Sequence, residues 1–285
     1  MLGLVMEGGA MRGLFTAGVT DVMMEHHLRV DGAIGVSAGA VFGCNLKSGQ
    51  PGRVLRYNTR YCRDWRYASF RSLLLTGDLF GDKFCYHDIP ERLDPFDQAA
   101  FAADPMAFYC VCTNVDTGEP VYHRCETGGA EDLRWLQASA SMPLVSRVVE
   151  AEGLRLQDGG TSDSIPLEAF ERMGYDRNIV ILTQPEGFVK EPNSLLPLMR
   201  LMLRRYPKLI EAMANRHERY NAQTAYVRAR EQAGACLVIR PPHALDVRQV
   251  EREPEKLRAA YRLGREAAEA RLQEIQSFIR EANEA

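Results

Sequence analysis

Short apolar runs alternate with helical stretches along most of this 285-residue chain. Each run is rich in β-branched or aromatic residues and bounded by glycine, proline or a polar turn, which is the pattern of a buried strand. The predicted strands cover residues 2–6, 31–36, 106–115, 120–125, 147–156, 177–183 and 236–240, with 147–156 as a pair that turns at Glu152 and Gly153. A helix from about residue 12 separates the first two strands. Such β-α-β units build parallel sheets covered by helices, so the pattern predicts an α/β fold.

Two helical blocks stand outside this alternation. The first, residues 193–231, mixes apolar and basic residues and is divided into pieces by Pro197 and Pro207. The second, residues 254–283, is predicted as one amphipathic helix because apolar residues recur at helical spacing: Leu257, Tyr261, Ala268, Leu272, Ile275 and Ile279. We therefore predict a main domain over residues 1–190, which later elements complete up to about residue 240, and a helical C-terminal extension over residues 191–285.

Composition and charge narrow the classes of function. A net charge of −3 leaves no basic excess to neutralise phosphates, which argues against a nucleic-acid partner. The seven cysteines include no C-x-x-C pair, and Cys110 and Cys112 face the same side of one predicted strand. We expect ordinary core thiols and a reducing, cytoplasmic compartment. No His/Cys group has zinc spacing, so we predict neither a metal nor another cofactor.

The apolar runs predict no membrane-spanning segment. The first six residues lack a basic leader, and Glu7 interrupts the apolar run too early for a secretion signal. No uncharged apolar stretch reaches the roughly 18 residues that a membrane-spanning helix needs. Any membrane contact is therefore expected to be peripheral.

The pentapeptide Gly-Val-Ser-Ala-Gly at residues 35–39 is the first candidate for chemistry. It follows a predicted strand and opens a predicted helix, and a sharp turn between the two would lift the hydroxyl of Ser37 out of the sheet. Gly35 and Gly39 let the backbone make that turn without clashes. The N–H groups at the start of the next helix stabilise negative charge there. This context predicts a nucleophilic serine rather than a glycine turn without chemistry.

A glycine-rich loop at residues 8–13, Gly-Gly-Ala-Met-Arg-Gly, is the candidate oxyanion site. It follows the first strand, so its backbone N–H groups point to the same sheet edge as Ser37, and small residues let a carbonyl oxygen approach closely. The competing interpretation is a dinucleotide- or phosphate-binding loop, because a strand, a glycine loop, a helix and Asp31 are all present. That fingerprint requires glycine where this chain has Ala10.

The base that would activate the serine is less obvious. A Ser–Asp–His order would use His217, which lies in a charged helical stretch, or His243, which lies in a loop after two prolines. Asp158 ends a predicted strand and precedes Gly159 and Gly160, so its carboxylate can turn toward a neighbouring loop. A plain Asp-Gly turn explains the same residues equally well, and the motif alone leaves the choice open.

The three motifs in this order, at residues 8–13, 35–39 and 158–160, resemble the patatin-like phospholipase family. The resemblance covers roughly residues 2–185. Residues 139–143 and 163–166, the segment 50–95 and the C-terminal helices look like bacterial members of that family. It implies a three-layer α/β/α fold with a mainly parallel central sheet, and the family's serine hydrolase activity.

The resemblance also implies roles for individual residues. Ser37 and Asp158 would form a catalytic dyad without histidine, and the backbone of Gly8, Gly9 and Ala10 would form the oxyanion hole. Arg12 and Gly13 would support that loop, while Gly35 and Gly39 shape the elbow. The departure is Ala10, where the family usually has a third glycine, which puts the shape of the loop in doubt. Asp163 is the nearest other carboxylate, and we interpret it as a helix N-terminal residue.

The predicted substrate is a lipid ester, and the motifs do not separate phospholipid from acylglycerol. Residues 195–208 combine large apolar side chains with Arg200, Arg204, Arg205 and Lys208, as interfacial helices do. We favour the simpler interpretation, a helix packed over the edge of the active site with its basic residues in water. Peripheral membrane contact and a homo-oligomer are both open. The alternatives to a hydrolase are a nucleotide- or phosphate-binding domain and a non-catalytic interaction protein with the patatin fold.

Overall fold

In the computed structural model, which describes residues 1–284, eight strands form one mixed sheet. The strands are β1 (Leu2–Met6), β2 (Gly32–Val36), β3 (Ala107–Asn114), β4 (Pro120–Cys125), β5 (Val149–Ala151), β6 (Leu154–Asp158), β7 (Arg177–Ile181) and β8 (Cys236–Ile239). Their order is β5-β6-β3-β2-β1-β7-β8, with β4 also paired to β3. The neighbouring strands β3, β2, β1, β7 and β8 pair in parallel. The pairings that involve β4, β5 and β6 are antiparallel. The predicted α/β class with a mainly parallel sheet is confirmed.

Twelve α-helices accompany the sheet within the described residues. They are α1 (Gly13–Glu25), α2 (Ala38–Lys47), α3 (Arg53–Tyr61), α4 (Phe70–Thr76), α5 (Gln98–Ala103), α6 (Ala130–Ser139), α7 (Leu167–Arg172), α8 (Leu196–Met202), α9 (Pro207–Ala214), α10 (Arg216–Gln232), α11 (Pro254–Ala270) and α12 (Leu272–Glu284). A π-helical segment, Phe84–Leu93, precedes α5. The segment that carries α3, α4 and the π-helix received no element prediction from its sequence.

Helices cover both faces of the sheet. Successive residues of a strand point to opposite sides, so one strand contributes side chains to the core on each face. On β1, Leu4 and Met6 enter a core that α1, α2, α11 and α12 complete. The intervening Val5 faces the other side, where it joins side chains of α7 and α10. The layers are therefore helices, sheet and helices, as predicted.

The first helical block is divided into separate helices, α8, α9 and α10, as predicted. Pro197 and Pro207 each lie in the first turn of a helix, where a missing N–H costs nothing. The single helix predicted over residues 254–283 is wrong, because α11 ends at Ala270 and α12 begins at Leu272. The residue between them, Arg271, has φ −113° and donates from its guanidinium to the carbonyl of Val238 on the edge strand.

The C-terminal helix α11 packs directly against α1. A Cβ on Gly18 would lie 2.2 Å from the carbonyl oxygen of Tyr261, and one on Gly264 would lie 2.0 Å from that of Phe15. Only glycine permits so close an approach of two helix backbones. The Tyr261 hydroxyl also donates to buried Asp21 over 2.5 Å.

The strand β3 sets the position of the candidate site. Its residues 107–111 pair with β2 on one edge, while β4 pairs along the opposite edge. Beyond the end of β2, that first edge continues with β6, which runs antiparallel and places Asp158 opposite Cys112. Val36 lies opposite Val111, the preceding residue of β3. The ends of β2 and β6 therefore meet head to head, with Ser37 and Asp158 at the junction.

Within residues 1–284, no helix is both long enough and apolar enough to cross a lipid bilayer. Cys110 and Cys112 are buried in the same core cluster, in agreement with their predicted common face, and all seven cysteines are free thiols.

Candidate active site

Ser37 occupies a strained turn between β2 and α2. Its backbone has φ 53° and ψ −122°, a conformation that costs a non-glycine residue about 1–3 kcal/mol. The Ser139 hydroxyl holds the turn, because it accepts from the Ser37 N–H over 2.9 Å and donates to the Val111 carbonyl over 2.6 Å. The strained geometry is that of a nucleophile elbow.

The flanking glycines allow the elbow to pack tightly. A Cβ on Gly35 would lie 2.5 Å from the Gly39 carbonyl, and one on Gly39 would lie 2.4 Å from the Met6 carbonyl oxygen. A Cβ on Gly13 would lie 2.9 Å from the Ala38 Cβ. Gly35 is thus required by the turn itself and Gly39 by its contact with β1, while Gly13 allows α1 to pack against the residue after Ser37.

The glycine loop lies against the serine. A Cβ on Gly8 would be 3.1 Å from the Cβ of Ser37, and one on Gly9 would be 2.7 Å from Thr183 Oγ1. Ala10 has φ 48°, in the left-handed region that favours glycine, so the alanine is accommodated at the cost of some strain. Within residues 1–284, the N–H groups of Gly8, Gly9 and Ala10 donate to no protein acceptor. They are available to a negatively charged oxygen near Ser37.

Glu7, a residue that the sequence analysis did not assign to the site, anchors this loop. Its buried carboxylate accepts from the Thr183 N–H over 2.6 Å and from the Tyr220 hydroxyl over 2.7 Å. These contacts tie the end of β1 to the end of β7 and to α10. The predicted loop-supporting residue Arg12 has a buried Nε without a hydrogen-bond acceptor and lines the groove described below.

Asp158 contacts the serine directly. Its Oδ2 accepts from Ser37 Oγ over 2.8 Å, and its Oδ1 accepts from the Gly160 N–H over 2.8 Å. The two glycines after it turn the chain, and a Cβ on Gly159 would lie 2.1 Å from the Val111 carbonyl oxygen. The arrangement holds the carboxylate in one orientation toward the hydroxyl.

Burial raises the pKa of Asp158 above the ordinary value of an aspartate, although Arg216 and the hydrogen bonds from Ser37 and Gly160 oppose the shift. A higher pKa makes the carboxylate a stronger base for a hydroxyl proton. Arg216 lies at the start of α10 and donates to the Gly160 carbonyl over 2.5 Å. Because it is 58 residues away in sequence, no local pattern indicated that it would lie beside Asp158.

The other candidate bases make no hydrogen-bonding contact with Ser37, although His217 lines the same groove. The Nδ1 atom of His217 lies 3.0 Å from the Ala214 carbonyl oxygen. His243 is exposed, and its Nδ1 atom lies 3.2 Å from the Ala244 carbonyl oxygen. Neither histidine is hydrogen-bonded to Ser37 in the structure. The carboxylate of Asp163 accepts from Tyr122 and Gln223 and is thereby occupied.

Ser37 lies where two concave spaces meet. On one side is a cavity of about 100 Å³ with mainly apolar walls, among them Phe42, Ile89, Leu133 and Leu136. On the other side is a groove of about 380 Å³, which also contains Asp158. One space suits a hydrocarbon chain, while the other gives polar groups access to the serine.

Three cations line the groove: Arg12, Lys190 and Arg216. Burial and the charges of Arg216 and Arg12 lower the pKa of Lys190 to about 8, although Glu7 opposes the shift. The same groove also contains the carboxylates of Glu7, Asp158 and Glu191, so its charges are mixed. Lys190 is the cation whose charged form is disfavoured there, and an anionic group bound beside it would favour that form.

A separate cluster has the composition of a metal site. One ligand atom each from His123, Cys125 and Asp132 lies within 4.8 Å of the others. The Asp132 carboxylate already accepts from His123 and from the N–H groups of Thr127 and Gly128, so it closes the turn before α6. These contacts account for the cluster as part of the fold.

Residues 4–171 match the patatin-like phospholipase family, and this span is more than half of the chain. The chain belongs to the patatin-like phospholipase family. The resemblance inferred from the three motifs is confirmed, and the matched span contains the first glycine loop. In this patatin-like protein, residues 206–280 match a second family, described as a domain of unknown function (DUF6363).

Two curated proteins illustrate how this patatin-like chain relates to others. It is 29% identical to the uncharacterized protein YjjU of Escherichia coli K12 over 222 residues, which are 70% of this chain and 60% of YjjU. It is 26% identical to lysophospholipase nte1 of Aspergillus fumigatus over 184 residues, 61% of this chain and 11% of that enzyme. The chain thus matches less than two thirds of either relative.

A solved structure, that of VipD from Legionella pneumophila, superposes with a TM-score of 0.47 at 12% identity. The superposition covers 97% of this chain and 67% of VipD.

Proposed function

We propose that this chain is a serine acyl hydrolase that cleaves carboxylic esters of lipids, with Ser37 as nucleophile and Asp158 as base. The observation that carries the proposal is the 2.8 Å hydrogen bond from Ser37 Oγ to Asp158 Oδ2. It lies beside a glycine loop whose N–H groups donate to no acceptor within the described residues. Membership in a phospholipase family and the similarity to fungal lysophospholipases support the same reaction class.

In the acylation step, Asp158 Oδ2 takes the proton of Ser37 while Oγ forms a bond to the ester carbonyl carbon. The carbonyl electron pair moves to the oxygen, where the N–H groups of Gly8, Gly9 and Ala10 stabilise the charge. The tetrahedral intermediate then collapses, and the bond to the alcohol oxygen breaks. Asp158 returns the proton to that leaving oxygen, and the acyl group stays on Ser37.

Deacylation repeats these roles with water. Asp158 takes a proton from a water molecule whose oxygen attacks the acyl carbon, and the glycine loop again stabilises the oxyanion. When the bond to Ser37 Oγ breaks, the proton returns to Oγ and the carboxylic acid leaves. One residue therefore serves as base and then as acid in both halves of the reaction.

A fluorophosphonate probe tests the nucleophile. We expect covalent labelling of the purified chain and its loss in Ser37→Ala, because the probe reacts with an activated serine hydroxyl. Ser164→Ala is the matched control, since Ser164 also lines the groove and should leave labelling intact. An unlabelled parent chain would disprove the proposed hydrolase. Labelling lost in Ser164→Ala but kept in Ser37→Ala would show that Ser37 is not the nucleophile.

For the substrate, we propose a phospholipid or lysophospholipid rather than a neutral acylglycerol. The apolar cavity would take the acyl chain, and Arg12, Lys190 and Arg216 in the groove would contact the phosphate. A phosphate beside Lys190 would favour the charged form of that side chain, which burial and the charges of Arg216 and Arg12 disfavour. An acylglycerol offers no such group.

Lys190→Gln is expected to raise KM for a lysophospholipid about tenfold with little change in kcat, because one charge-assisted contact to the bound phosphate is lost. KM for a monoacylglycerol with the same chain should stay the same. Steady-state kinetics on both substrates measures the difference, and Lys208→Gln, which removes an exposed lysine of α9, is the control. An equal rise in KM for both substrates would contradict phosphate recognition by Lys190.

A further inference from the structure

Large apolar side chains are exposed in two segments beside the groove. Within residues 1–284, all the exposed large hydrophobic side chains except Met1 and Leu93 lie in residues 65–75 or 189–202. The most exposed are Leu74 (86%), Phe70 (78%) and Leu201 (70%). We name one set the apolar rim: Trp65, Phe70, Leu74 and Leu75 on and before α4, with Leu195, Leu198, Leu201 and Met202 on and before α8.

The two parts of the apolar rim border the same opening. The Leu79 N–H, just after α4, donates to the Val145 carbonyl over 2.8 Å. Val145 lines the groove that contains Ser37, and so do Leu195 and Met199 at α8. The α8 part of the apolar rim therefore reaches the groove through Leu195, and the α4 part ends close to Leu79, which is hydrogen-bonded to the groove wall.

The charged residues between Trp65 and Leu75, and those between Leu195 and Met202, are all basic. The sequence has no Asp or Glu between Asp64 and Asp78, and none between Glu191 and Glu211. Exposed Arg71, Arg200, Arg204 and Arg205 lie among the apolar side chains, and none of the four forms an ion pair in the described residues. A chain with a net charge of −3 thus has a basic, apolar surface at the entrance to its groove.

We propose that the apolar rim docks on an anionic lipid bilayer, with its leucines and aromatics inserted among the acyl chains and its arginines at the headgroups. This combination is that of interfacial helices. A second copy fits less well, because a two-fold interface would bring the same unpaired arginines together. Docking would place the groove directly over the lipid. The proposal concerns binding alone and does not depend on hydrolysis.

Vesicle co-sedimentation with the Ser37→Ala chain tests this docking without lipid breakdown. We expect binding to phosphatidylcholine vesicles that contain phosphatidylglycerol, and weaker binding to phosphatidylcholine alone. Leu74→Asp and Leu201→Asp should each lower the partition coefficient roughly tenfold, because a large apolar side chain is kept out of the bilayer. Arg204→Glu should lower it severalfold, and only on the anionic vesicles.

Matched controls separate docking from misfolding and from self-association. Leu74→Phe and Leu201→Phe keep an apolar side chain and should keep binding, while Arg262→Glu changes the same charge on an exposed part of α11 and should have no effect. Aspartate variants that bind like the parent would overturn the proposal. Loss of a dimer in sedimentation velocity with unchanged vesicle binding would assign the surface to a second copy. Vesicle binding without fluorophosphonate labelling would refute only the proposed hydrolysis.

Discussion

Asp158→Asn is expected to lower kcat for ester hydrolysis by about 10²- to 10⁴-fold, the range that a general base contributes. Asparagine keeps the shape of the side chain and can still accept from the Gly160 N–H, but it cannot take the proton of Ser37. Steady-state kinetics with a soluble short-chain ester measures the loss without involving a lipid surface.

The same variant should fold at least as well as the parent at neutral pH. Burial raises the pKa of Asp158, so the ionised form is disfavoured in the folded chain relative to the unfolded one. The stability that protonated Asp158 contributes is present at low pH and is lost as pH rises from the unfolded pKa, about 3.9, through the raised folded value. A neutral amide avoids that loss. Urea unfolding at neutral pH should therefore give Asp158→Asn a free energy of unfolding at least as large as that of the parent.

Two controls make the assignment of the base specific. His217→Ala and His243→Ala should retain activity, since neither histidine is hydrogen-bonded to Ser37 in the structure. In the parent, kcat/KM should fall at acid pH with a midpoint above the ordinary aspartate pKa, because the base must be ionised. Asp158→Asn with normal turnover, together with an inactive His243→Ala, would show that the base is a histidine.

Gly264→Ala is expected to lower the free energy of unfolding by about 2–3 kcal/mol, as overpacking of a close contact does. The added Cβ would lie 2.0 Å from the Phe15 carbonyl oxygen, so α11 must move away from α1. The loss should appear even though alanine favours helix over glycine by about 1 kcal/mol. Equilibrium unfolding in urea gives the value.

Gly43→Ala is the matched control for that helix contact. Gly43 lies inside α2, and an added Cβ would meet the end of the flexible Met6 side chain at 2.5 Å, which can shift where a backbone carbonyl cannot. We expect a smaller loss than for Gly264→Ala. Equal losses would mean that the α1–α11 contact has no special role in stability. A single transition in both variants would mean that α11 unfolds with the sheet.

The strands that the sequence predicted correctly are those with a clear local pattern of residue types. The strands that precede the glycine loop and Ser37 are short, apolar and bounded by glycines, so their positions follow from residue type and spacing. The break at Arg271 had no such signal, because it accompanies a hydrogen bond to Val238 on a distant strand. The exposed leucines of α4 are equally uninformative in sequence, since a buried helix would show the same residues.

The residues of the candidate site likewise fall into those that the sequence predicted and those that it did not. Ser37, Asp158 and the glycine loop are contained in short motifs, and the structure brings them within contact of one another. Glu7 and Arg216 escaped prediction because each acts on a residue far away in sequence, Glu7 on Thr183 and Arg216 on Gly160. Such pairs are determined by how the strands and helices pack, which composition and periodicity do not encode.

The head-to-head meeting of β2 and β6 on one edge of β3 makes strand register a condition of the contact between Ser37 and Asp158. Successive residues of a strand face opposite sides of the sheet, so a slip of β6 by one residue would turn the carboxylate of Asp158 to the far side. The left-handed turn at Glu152 and Gly153, between β5 and β6, helps fix that register. A length change in this remote hairpin is therefore expected to abolish the proposed hydrolysis, even though Ser37 and Asp158 would both still be present.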